Sequence, residues 1–424
     1  MKLLVNVTPL APPLTGIGHY TRQLLLQLVT NPEFSAQLQD IKGFDMFREY
    51  SKEELLSLLH GNDLSASTGD TVSVGQNNSD QAGVENKEGE DKQNLKRGLS
   101  YRLQTCLQHL KPYIKRVPGA RRLKRLILNR SASTALDRNK DYIYWEPNYV
   151  MHPFKGLSVA TIYDLSHIHY PEYHPKQRVD DLTQGLAVTL AQANRLISIS
   201  EFSREQIINE LSPSQEIDLV QPCVEAAFFN VTEQEGRALR DKYPLPENYL
   251  LSVATLEPRK NFIGLLQAYA LLPDDHRQAY PLILAGSKGW LTEELESILQ
   301  PMEDRGEVRY LGYVDQDDMP ALYHNASVMA YVSFYEGFGM PIAEAMAAGT
   351  AVVASNCTSM PEVAGEFAEL VDPHDIESIR DGLDKLLSNP QLRLSRSKEG
   401  KEWAQQWNWR HSALSLMNSF KQLR

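Results

Sequence analysis

The sequence predicts a parallel α/β protein with two doubly wound domains. Short β-branched runs alternate with amphipathic stretches, which is the pattern of strands that are each followed by a helix. This alternation occurs in two series, which are separated near Gln221–Glu225. The chain of 424 residues is 42% hydrophobic, which is enough material for two cores. We therefore predict one domain over residues 1–225 and a second over residues 226–404.

The predicted strands follow in chain order, and a helix closes the chain. The strands of the first series are Leu3–Val7, Tyr142–Trp145, Val159–Tyr163, Leu196–Ser200 and Asp218–Val220. The strands of the second series are Tyr249–Val253, Pro281–Ala285, Val308–Leu311, Val328–Val332, Ala351–Ala354 and Glu369–Val371. The final segment, about residues 405–424, ends in an amphipathic helix that we predict to pack back on the first domain.

An insertion at about residues 60–135 interrupts the first series. Ser65–Asp91 is rich in Gly, Ser, Asn and acidic residues, which predicts disorder. Lys96–Arg130 contains eleven Lys and Arg residues and no Asp or Glu, and its apolar spacing predicts amphipathic helices. A helical hairpin packed on the domain would explain this spacing. The unrelieved positive charge instead favours reversible binding to an anionic membrane surface.

Composition and charge narrow the functional class. The formal net charge of −11 argues against a nucleic-acid-binding protein. Cys106, Cys223 and Cys357 are far apart, so they predict neither a disulfide framework nor a zinc site. Met1–Val7 is too short and too soon polar for a signal peptide, and no uncharged apolar run is long enough to span a bilayer. We predict a cytoplasmic protein that is peripheral at the inner face of the cytoplasmic membrane.

A loop that contains glutamate and glycine is the most specific motif. A predicted strand ends near Ser333, and Gly337 and Gly339 follow before a helix with proline in its first turn. Ligands of open α/β sheets bind at such strand ends, where glycines admit backbone amides and a helix N-terminus favours phosphate. Glu336 and Glu344 can then face one cleft and accept paired sugar hydroxyls. A tight turn followed by a helix start with two exposed acids, and without any ligand, would also explain these residues.

Three further strand ends of the second series carry residues suited to a ligand. Arg259 and Lys260 follow the first of these strands, and adjacent cations there suit a diphosphate that gains charge in a transition state. A solvated helix start would also explain them, although a first helical turn ordinarily prefers acids. Gly286 lies in a loop of small residues after the next strand, and Tyr313 and Val314 follow the third, where backbone groups can hold a base.

Together, these residues resemble the family-four retaining glycosyltransferases of the GT-B fold. The family marker is a Glu, seven residues and a second Glu, and Glu336 and Glu344 match it. The flanking sequence and the turn Pro361–Gly365 are also in the family's style, and the resemblance covers the whole second half. It implies two Rossmann-like domains that face a cleft, with the acceptor on the first domain and the nucleotide sugar on the second.

The resemblance also implies roles for individual residues. Lys260 and Arg259 would neutralise the donor diphosphate, and Glu336 would contact hydroxyls of the donor sugar. These three are the predicted catalytic residues, while Glu344 would hold the ribose. The predicted substrate-binding residues are Gly16, Gly18, Asp164, Gly286, Tyr313, Val314, Gly337, Phe338, Gly339, Met340 and Glu344.

The first half matches the family more loosely. Thr15–Thr21 resembles the glycine loop that these enzymes place after their first strand, beside the donor phosphates. Thr21 stands where a dinucleotide-binding fingerprint needs its third glycine, so this segment is not that fingerprint. Asp164 lies in a segment that resembles the acceptor-side loop. The family commonly has a histidine before this Asp, and this chain has Tyr163.

The implied reaction is transfer of a hexose, with retention, from a nucleotide-diphosphate sugar to a lipid-linked or polysaccharide acceptor. The loops resemble those of bacterial mannosyl- and rhamnosyltransferases of surface polysaccharide (O-antigen) assembly. GDP-mannose is therefore the first predicted donor, and dTDP-rhamnose and UDP-sugars are the alternatives. We predict no cofactor and no metal, because Asp315–Asp317 fits a helix N-cap and an acidic first turn better than a metal-binding triplet.

Two other functional classes are less compatible with the sequence. A nucleotide-sugar epimerase or dehydratase needs a Tyr-x-x-x-Lys pair, and none of the 19 tyrosines is followed four residues later by Lys. A non-enzymatic surface-binding protein that only retains the fold would have no need of Glu336 and Lys260, and both are present.

Overall fold

The computed structural model describes residues 1–12, 14–60, 132–289 and 293–423. Strands and helices alternate along these ranges, so the α/β class predicted from the sequence is confirmed. The predicted disordered segment Ser65–Asp91 and the predicted basic helices of Lys96–Arg130 lie outside the described residues.

The strands of the described residues form two sheets. They are β1 (Lys2–Asn6), β2 (Asp40–Phe44), β3 (Glu49–Tyr50), β4 (Ile143–Glu146), β5 (Ser158–Ile162), β6 (Arg195–Ser198), β7 (Ile217–Leu219), β8 (Leu250–Val253), β9 (Leu282–Ala285), β10 (Val308–Gly312), β11 (Val328–Tyr331), β12 (Ala351–Ser355) and β13 (Glu369–Val371). The strand order is β3-β2-β1-β4-β5-β6-β7 in one sheet and β10-β9-β8-β11-β12-β13 in the other. The second order is that of a doubly wound nucleotide-binding sheet, with its switch point between β8 and β11.

Helices connect most of the strands. They are α1 (Gly16–Thr30), α2 (Pro32–Ser35), α3 (Lys52–Leu59), α4 (Ser166–His169), α5 (Lys176–Gln192), α6 (Glu201–Leu211), α7 (Ala226–Phe229), α8 (Glu233–Lys242), α9 (Phe262–Ala270), α10 (Asp274–Ala279), α11 (Glu293–Asp304), α12 (Met319–His324), α13 (Met340–Ala347), α14 (Met360–Ala364), α15 (Ile376–Ser388), α16 (Pro390–Ala404) and α17 (Trp409–Lys421). A further helix covers 132–138. Within the described ranges, no helix combines the length and the apolar character needed to cross a bilayer.

The chain divides into two compact units. The first comprises Met1–Gly18, Ala36–Trp145 and His152–Leu157, and the second comprises His19–Ser35, Glu146–Met151 and Ser158–Arg424. In the first unit, β1 pairs in parallel with both β2 and β4. The side chains of Leu3, Leu4 and Val5 are completely buried, because the central strand of a parallel sheet is covered on both faces.

In the second unit, the core of the six-stranded sheet explains why its strands are readable from the sequence. All neighbouring strands in this sheet are parallel. Strands β11 and β12 are buried along their whole length. Leu265 of α9 and Leu383 of α15 belong to the same apolar cluster. Strands that are buried on both faces appear as continuous apolar runs, and all six strands predicted for this half are present.

Two strands of the first sheet were missing from the prediction. β2 has the sequence Asp-Ile-Lys-Gly-Phe, which carries a weak strand signal because three of its five residues are charged or glycine. β3 has two residues and pairs antiparallel with β2 at the edge of the sheet. Edge strands of this kind are short and polar, so the alternation of apolar runs does not reveal them.

The final helix, α17, lies within the predicted closing segment, and its packing on the first domain stays a prediction. Ser412 in α17 donates a hydrogen bond of 2.6 Å to the carbonyl oxygen of Gln221 and lies 3.0 Å from the sulfur of Cys223. Arg410 forms an ion pair of 2.7 Å with Glu33. The contacts join the end of the chain to residues before Glu225, and the domain boundary at that residue stays a prediction.

Candidate active site

The candidate site lies at the switch point of the six-stranded sheet. Strands β8 and β11 are parallel neighbours, so their carboxyl ends meet at the same edge. The loop after β8 carries Arg259 and Lys260, and the loop after β11 carries Glu336. The backbone also joins the two loops, because the amide of Phe334 donates a hydrogen bond of 2.9 Å to the carbonyl oxygen of Arg259.

Glu336 is the centre of a buried charge cluster. Its side chain accepts a hydrogen bond of 2.6 Å from Lys260 Nζ, one of 3.0 Å from Arg259 Nη1 and one of 2.9 Å from the hydroxyl of Tyr331. Arg259 also pairs with Glu257 at 2.8 Å and donates to the carbonyl oxygen of Tyr335. Only 7% of Glu336 is exposed. All three predicted catalytic residues therefore contact one another.

Burial and charge together set the pKa values in this cluster. Burial alone would raise the pKa of Glu336, but Arg259 and Lys260 outweigh burial and lower this pKa to about 2. Burial and the adjacent Arg259 hold the pKa of Lys260 below its ordinary value, although Glu336 opposes them. Burial would also lower the pKa of Arg259, but Glu336 and Asp164 raise it above its ordinary value. Glu336 is thus a carboxylate at neutral pH.

A short turn presents the two cations. Pro258–Lys260 forms a single 3₁₀ turn, and Asn261 follows in the left-handed region with φ of +56°. The Asn261 amide donates to the carbonyl oxygens of Val332, at 3.0 Å, and Pro373, at 2.8 Å. Its oxygen accepts from the Gly264 amide at 3.3 Å and caps α9. Sequence reasoning missed this function of Asn261, because its partners lie on distant strand ends.

The glycine loop approaches the end of β5 closely. A Cβ atom at Gly337 would lie 2.7 Å from the carbonyl oxygen of Tyr163 and 2.9 Å from Cβ of Asp164, so only glycine fits. The predicted site residue Asp164 is therefore adjacent to the glutamate loop. Gly339 has φ of +106°, which favours glycine, and it precedes Met340, the first residue of α13. Phe338 is buried, and its carbonyl oxygen accepts from Ser359 at 2.8 Å.

Glu344 lies in α13 and has a different environment from Glu336. Its carboxylate accepts a hydrogen bond of 2.9 Å from the hydroxyl of Tyr323. No cation forms an ion pair with Glu344 within the part of the chain that the structure describes. Burial raises the pKa of Glu344 to about 7, and Glu225 contributes to the same direction. The two glutamates of the motif therefore differ in charge near neutral pH.

The loops after β9 and β10 lie beside each other. The Gly286 amide donates to the carbonyl oxygen of Gly312 at 2.8 Å, and Gly286 has φ of +142°. A Cβ atom there would lie 1.9 Å from the carbonyl oxygen of Ala254, so glycine is required. Tyr313 is 69% exposed and Val314 is 5% exposed. Strand β10 is the outer strand of the sheet, and β9 and β8 separate it from β11. A ligand that reaches both Glu336 and Tyr313 must therefore extend across the carboxyl ends of these four strands.

Gly16 and Gly18 lie at the start of α1, within the first unit. A Cβ atom at Gly18 would lie 2.5 Å from the carbonyl oxygen of Pro9, so the close backbone approach requires glycine. The Gly18 amide contacts the hydroxyl of Thr15 at 3.4 Å. That these glycines contact the donor phosphates stays a prediction.

The acidic triplet after β10 lies at a helix start, as the sequence predicts. Asp315 is the N-cap residue of a short 3₁₀ turn over Gln316–Asp318, and Asp317 and Asp318 lie in its first turn, but the Asp315 side chain makes no capping hydrogen bond. Instead, Lys242 of α8 pairs with Asp315 at 2.8 Å and with Asp318 at 2.5 Å. The carboxylates thus stabilise a contact between helices. Among the described residues, no group of three His, Cys, Asp or Glu side chains is arranged to bind a metal ion.

The pKa of Glu344 predicts a pH-dependent stability. A carboxyl group whose pKa rises from 4.5 to about 7 on folding destabilises the folded state as pH rises through that interval. We compare the free energy of unfolding of Glu344→Gln with that of the natural protein. We expect this difference to shift in favour of the variant by about 2 kcal/mol between pH 5 and pH 8. Urea unfolding of both proteins at the two pH values measures this difference.

Tyr249→Phe is the matched control. Burial raises the pKa of Tyr249 above its ordinary value, so Tyr249 stays protonated between pH 5 and pH 8, and its substitution should change the free energy of unfolding equally at both values. An equal effect of Glu344→Gln at pH 5 and pH 8 would contradict the raised pKa of Glu344.

This chain is similar to known glycosyltransferases. The family described as Glycosyl transferases group 1 matches residues 237–403. The O-antigen chain mannosyltransferase B of Escherichia coli is 34% identical over 425 residues, which cover 100% of both chains. The serotype-specific mannosyltransferase WbdA of Escherichia coli is 32% identical over 241 residues, which cover 56% of this chain and 28% of that protein. Anabaena HepE in complex with UDP-glucose has a TM-score of 0.65 at 15% identity, with 100% of both chains covered, and this likeness concerns the fold.

Proposed function

Because the chain belongs to the group 1 glycosyltransferases, we propose that it transfers mannose from GDP-mannose to a lipid-linked or polysaccharide acceptor in O-antigen assembly. The matched family and the full-length relative confirm the family and the enzyme class predicted from the sequence. The observation that carries the proposal is the buried cluster in which Arg259 and Lys260 both contact Glu336. Paired cations suit a diphosphate, and a carboxylate suits sugar hydroxyls.

The chemistry follows from the partners of the cluster. A donor diphosphate competes with Glu336 for Arg259 and Lys260, and the sugar hydroxyls then become partners of Glu336. The bond between the anomeric carbon and the diphosphate oxygen breaks, and a bond to the acceptor hydroxyl oxygen forms on the same face. The acceptor proton passes to the departing diphosphate, so no protein base is needed. The two cations offset the charge that develops on the leaving group.

Mannose is the proposed sugar because of the relatives. The relative that is 34% identical over the whole chain and the one that is 32% identical over 56% of the chain are both mannosyltransferases by name. The donor is identified by a direct test. UDP-glucose and dTDP-rhamnose are the alternatives that the test must include.

The test measures release of nucleoside diphosphate from a panel of donors. The purified protein is mixed with GDP-mannose, UDP-glucose or dTDP-rhamnose, with a mannose-terminated glycolipid acceptor and with EDTA present. We expect acceptor-dependent release of GDP from GDP-mannose. Preferential turnover of another donor would replace mannose, and absence of release from every donor would contradict the transferase proposal. A thermal-shift comparison of GDP, UDP and dTDP identifies the nucleotide independently.

We also propose that the protein is cytoplasmic and binds the inner face of the cytoplasmic membrane through Lys96–Arg130. The support is the composition of this segment, which has eleven cations and no acid in a chain of net charge −11. Each cation near an anionic leaflet contributes about 1 kcal/mol. An acceptor that is carried on a lipid would then be held close to the enzyme.

Co-sedimentation with vesicles measures this binding. We expect the full chain to bind anionic vesicles, to bind neutral vesicles weakly and to dissociate as salt rises. A variant in which Arg121, Arg122, Lys124 and Arg125 are replaced by Gln should bind anionic vesicles less tightly, and a variant that lacks Lys96–Arg130 should not bind them. Equal binding by all three proteins would contradict the proposal.

A further inference from the structure

Each glutamate of the motif accepts a hydrogen bond from a buried tyrosine. The hydroxyl of Tyr331 lies 2.9 Å from Glu336 Oε1, and the hydroxyl of Tyr323 lies 2.9 Å from Glu344 Oε2. Tyr331 is 3% exposed and Tyr323 is 0% exposed. Neither tyrosine belongs to the residues that the family marker identifies.

The direction of each hydrogen bond follows from the chemistry of its partners. A carboxylate only accepts hydrogen bonds and an ammonium group only donates them. Lys260 Nζ lies 2.9 Å from the hydroxyl of Tyr331, so Lys260 donates to Tyr331 and Tyr331 donates to Glu336. Burial and the nearby carboxylates raise the pKa of both tyrosines, so both phenols keep their protons in the neutral range.

The surrounding structure holds each tyrosine independently of its contact with a glutamate. Tyr331 is the last residue of β11, which is buried along its length. Tyr323 lies in α12, its carbonyl oxygen accepts from Thr350 at 2.6 Å, and its ring contacts Phe228 with a centroid distance of 5.8 Å. Packing restricts both rings to one rotamer, so each hydroxyl has a defined position.

We propose that Tyr331 and Tyr323 are positioning residues with separate functions. Tyr331 holds Glu336 and Lys260 in place for the transfer step, and Tyr323 holds Glu344 in place for donor binding. This inference rests on the proposed function, because it assigns the two glutamates to the donor sugar and to the ribose.

The different surroundings of the two glutamates explain why the effects should separate. When the donor diphosphate engages Lys260, the hydroxyl of Tyr331 continues to orient the Glu336 carboxylate toward the sugar. Glu344 has no ion-pair partner among the residues that the structure describes, so Tyr323 supplies the hydrogen bond that favours its charged form. Loss of that hydrogen bond leaves Glu344 protonated and freer to rotate, which weakens its contacts with a ribose diol.

The experiment compares Tyr331→Phe, Tyr323→Phe and a control, Tyr249→Phe. Tyr249 directly precedes β8 and is 0% exposed. Its hydroxyl donates a hydrogen bond of 2.7 Å to the carbonyl oxygen of Leu322 and contacts neither glutamate. We expect Tyr331→Phe to lower kcat about tenfold with the donor KM nearly unchanged, and Tyr323→Phe to raise the donor KM about tenfold with kcat nearly unchanged. Tyr249→Phe should lower thermal stability but leave both constants within about twofold.

A second measurement keeps the inference testable if the donor assignment fails. Carboxyl NMR of protein with labelled glutamate follows the titration of Glu344, and Tyr323→Phe should raise its pKa, whereas Tyr249→Phe should not. If no donor turns over but the pKa of Glu344 rises in Tyr323→Phe alone, the proposed function fails and the positioning by Tyr323 stands. The same kinetic change in all three variants, or an unchanged Glu344 titration in Tyr323→Phe, would overturn the inference.

Discussion

Lys260→Ala should lower kcat by on the order of a hundredfold or more. The Lys260 side chain is 12% exposed, and its 2.6 Å contact with Glu336 places it at the proposed diphosphate position. Negative charge accumulates on the leaving diphosphate as the glycosidic bond breaks, so removal of one of two cations acts mainly on the transition state. Steady-state release of nucleoside diphosphate measures the effect.

The control for this variant is Lys242→Ala. Lys242 also forms ion pairs, with Asp315 and Asp318, but half of its side chain is exposed and it lies on α8. We expect its removal to leave kcat within about twofold, because exposed ion pairs contribute little to stability. Glu336 keeps Arg259 and Tyr331 as partners in Lys260→Ala, so the variant should fold, and a thermal melt verifies this. Turnover near that of the natural protein in Lys260→Ala would contradict the assignment of Lys260.

Glu336→Gln should slow transfer by on the order of a hundredfold and at the same time tighten the binding of nucleoside diphosphate. The amide keeps an acceptor oxygen but loses the charge that now engages Arg259 and Lys260. The diphosphate then meets two cations without a competing carboxylate, while the sugar hydroxyls lose a charged acceptor. Turnover assays and calorimetric titration with GDP measure the two effects.

Glu344→Ala provides the contrast to Glu336→Gln. Its pKa of about 7 and its contact with Tyr323 place Glu344 in a separate environment, so Glu344→Ala should mainly weaken donor binding. Weaker GDP binding in Glu336→Gln would contradict the competition between the Glu336 carboxylate and the diphosphate. A covalent sugar trapped on Glu336, or inversion at the anomeric carbon, would contradict transfer on one face.

Most of the fold could be predicted because its central strands are buried. The runs that became β8, β11 and β12 are mainly apolar, and each is followed by a helix, so local pattern and tertiary position agree. The prediction missed β2 and β3. These strands are stabilised by pairing near the edge of the sheet, and their side chains do not form an apolar pattern that predicts a strand. Asp315 occupies the predicted N-cap position, but its carboxylate pairs with Lys242 of a distant helix and makes no capping hydrogen bond.

The positions of Arg259, Lys260 and Glu336 after strand ends could be predicted from the sequence, but the contacts between these residues could not. The glycine and proline pattern around Glu336 reflects backbone conformations that few residues adopt, such as φ of +106° at Gly339. The partners of Glu336 lie up to 77 residues away in the chain, and no local rule connects them. The sequence does not predict the functions of Tyr331 and Tyr323, because a buried tyrosine in a strand or helix has the same sequence pattern as any core residue.

The sequence alone determined the parallel α/β class, the family, the strand ends after which Arg259, Lys260 and Glu336 lie, and the helix that carries Glu344. These properties depend on apolar periodicity and on the backbone freedom of glycine and proline, both of which are local. Only the tertiary structure decided that Lys260 and Arg259 engage Glu336, and that Glu344 contacts a tyrosine and, among the described residues, forms no ion pair. Charge and hydrogen bonding depend on distances in space and on exclusion of water, and these quantities exist only after β8 and β11 pair and bury the residues between them.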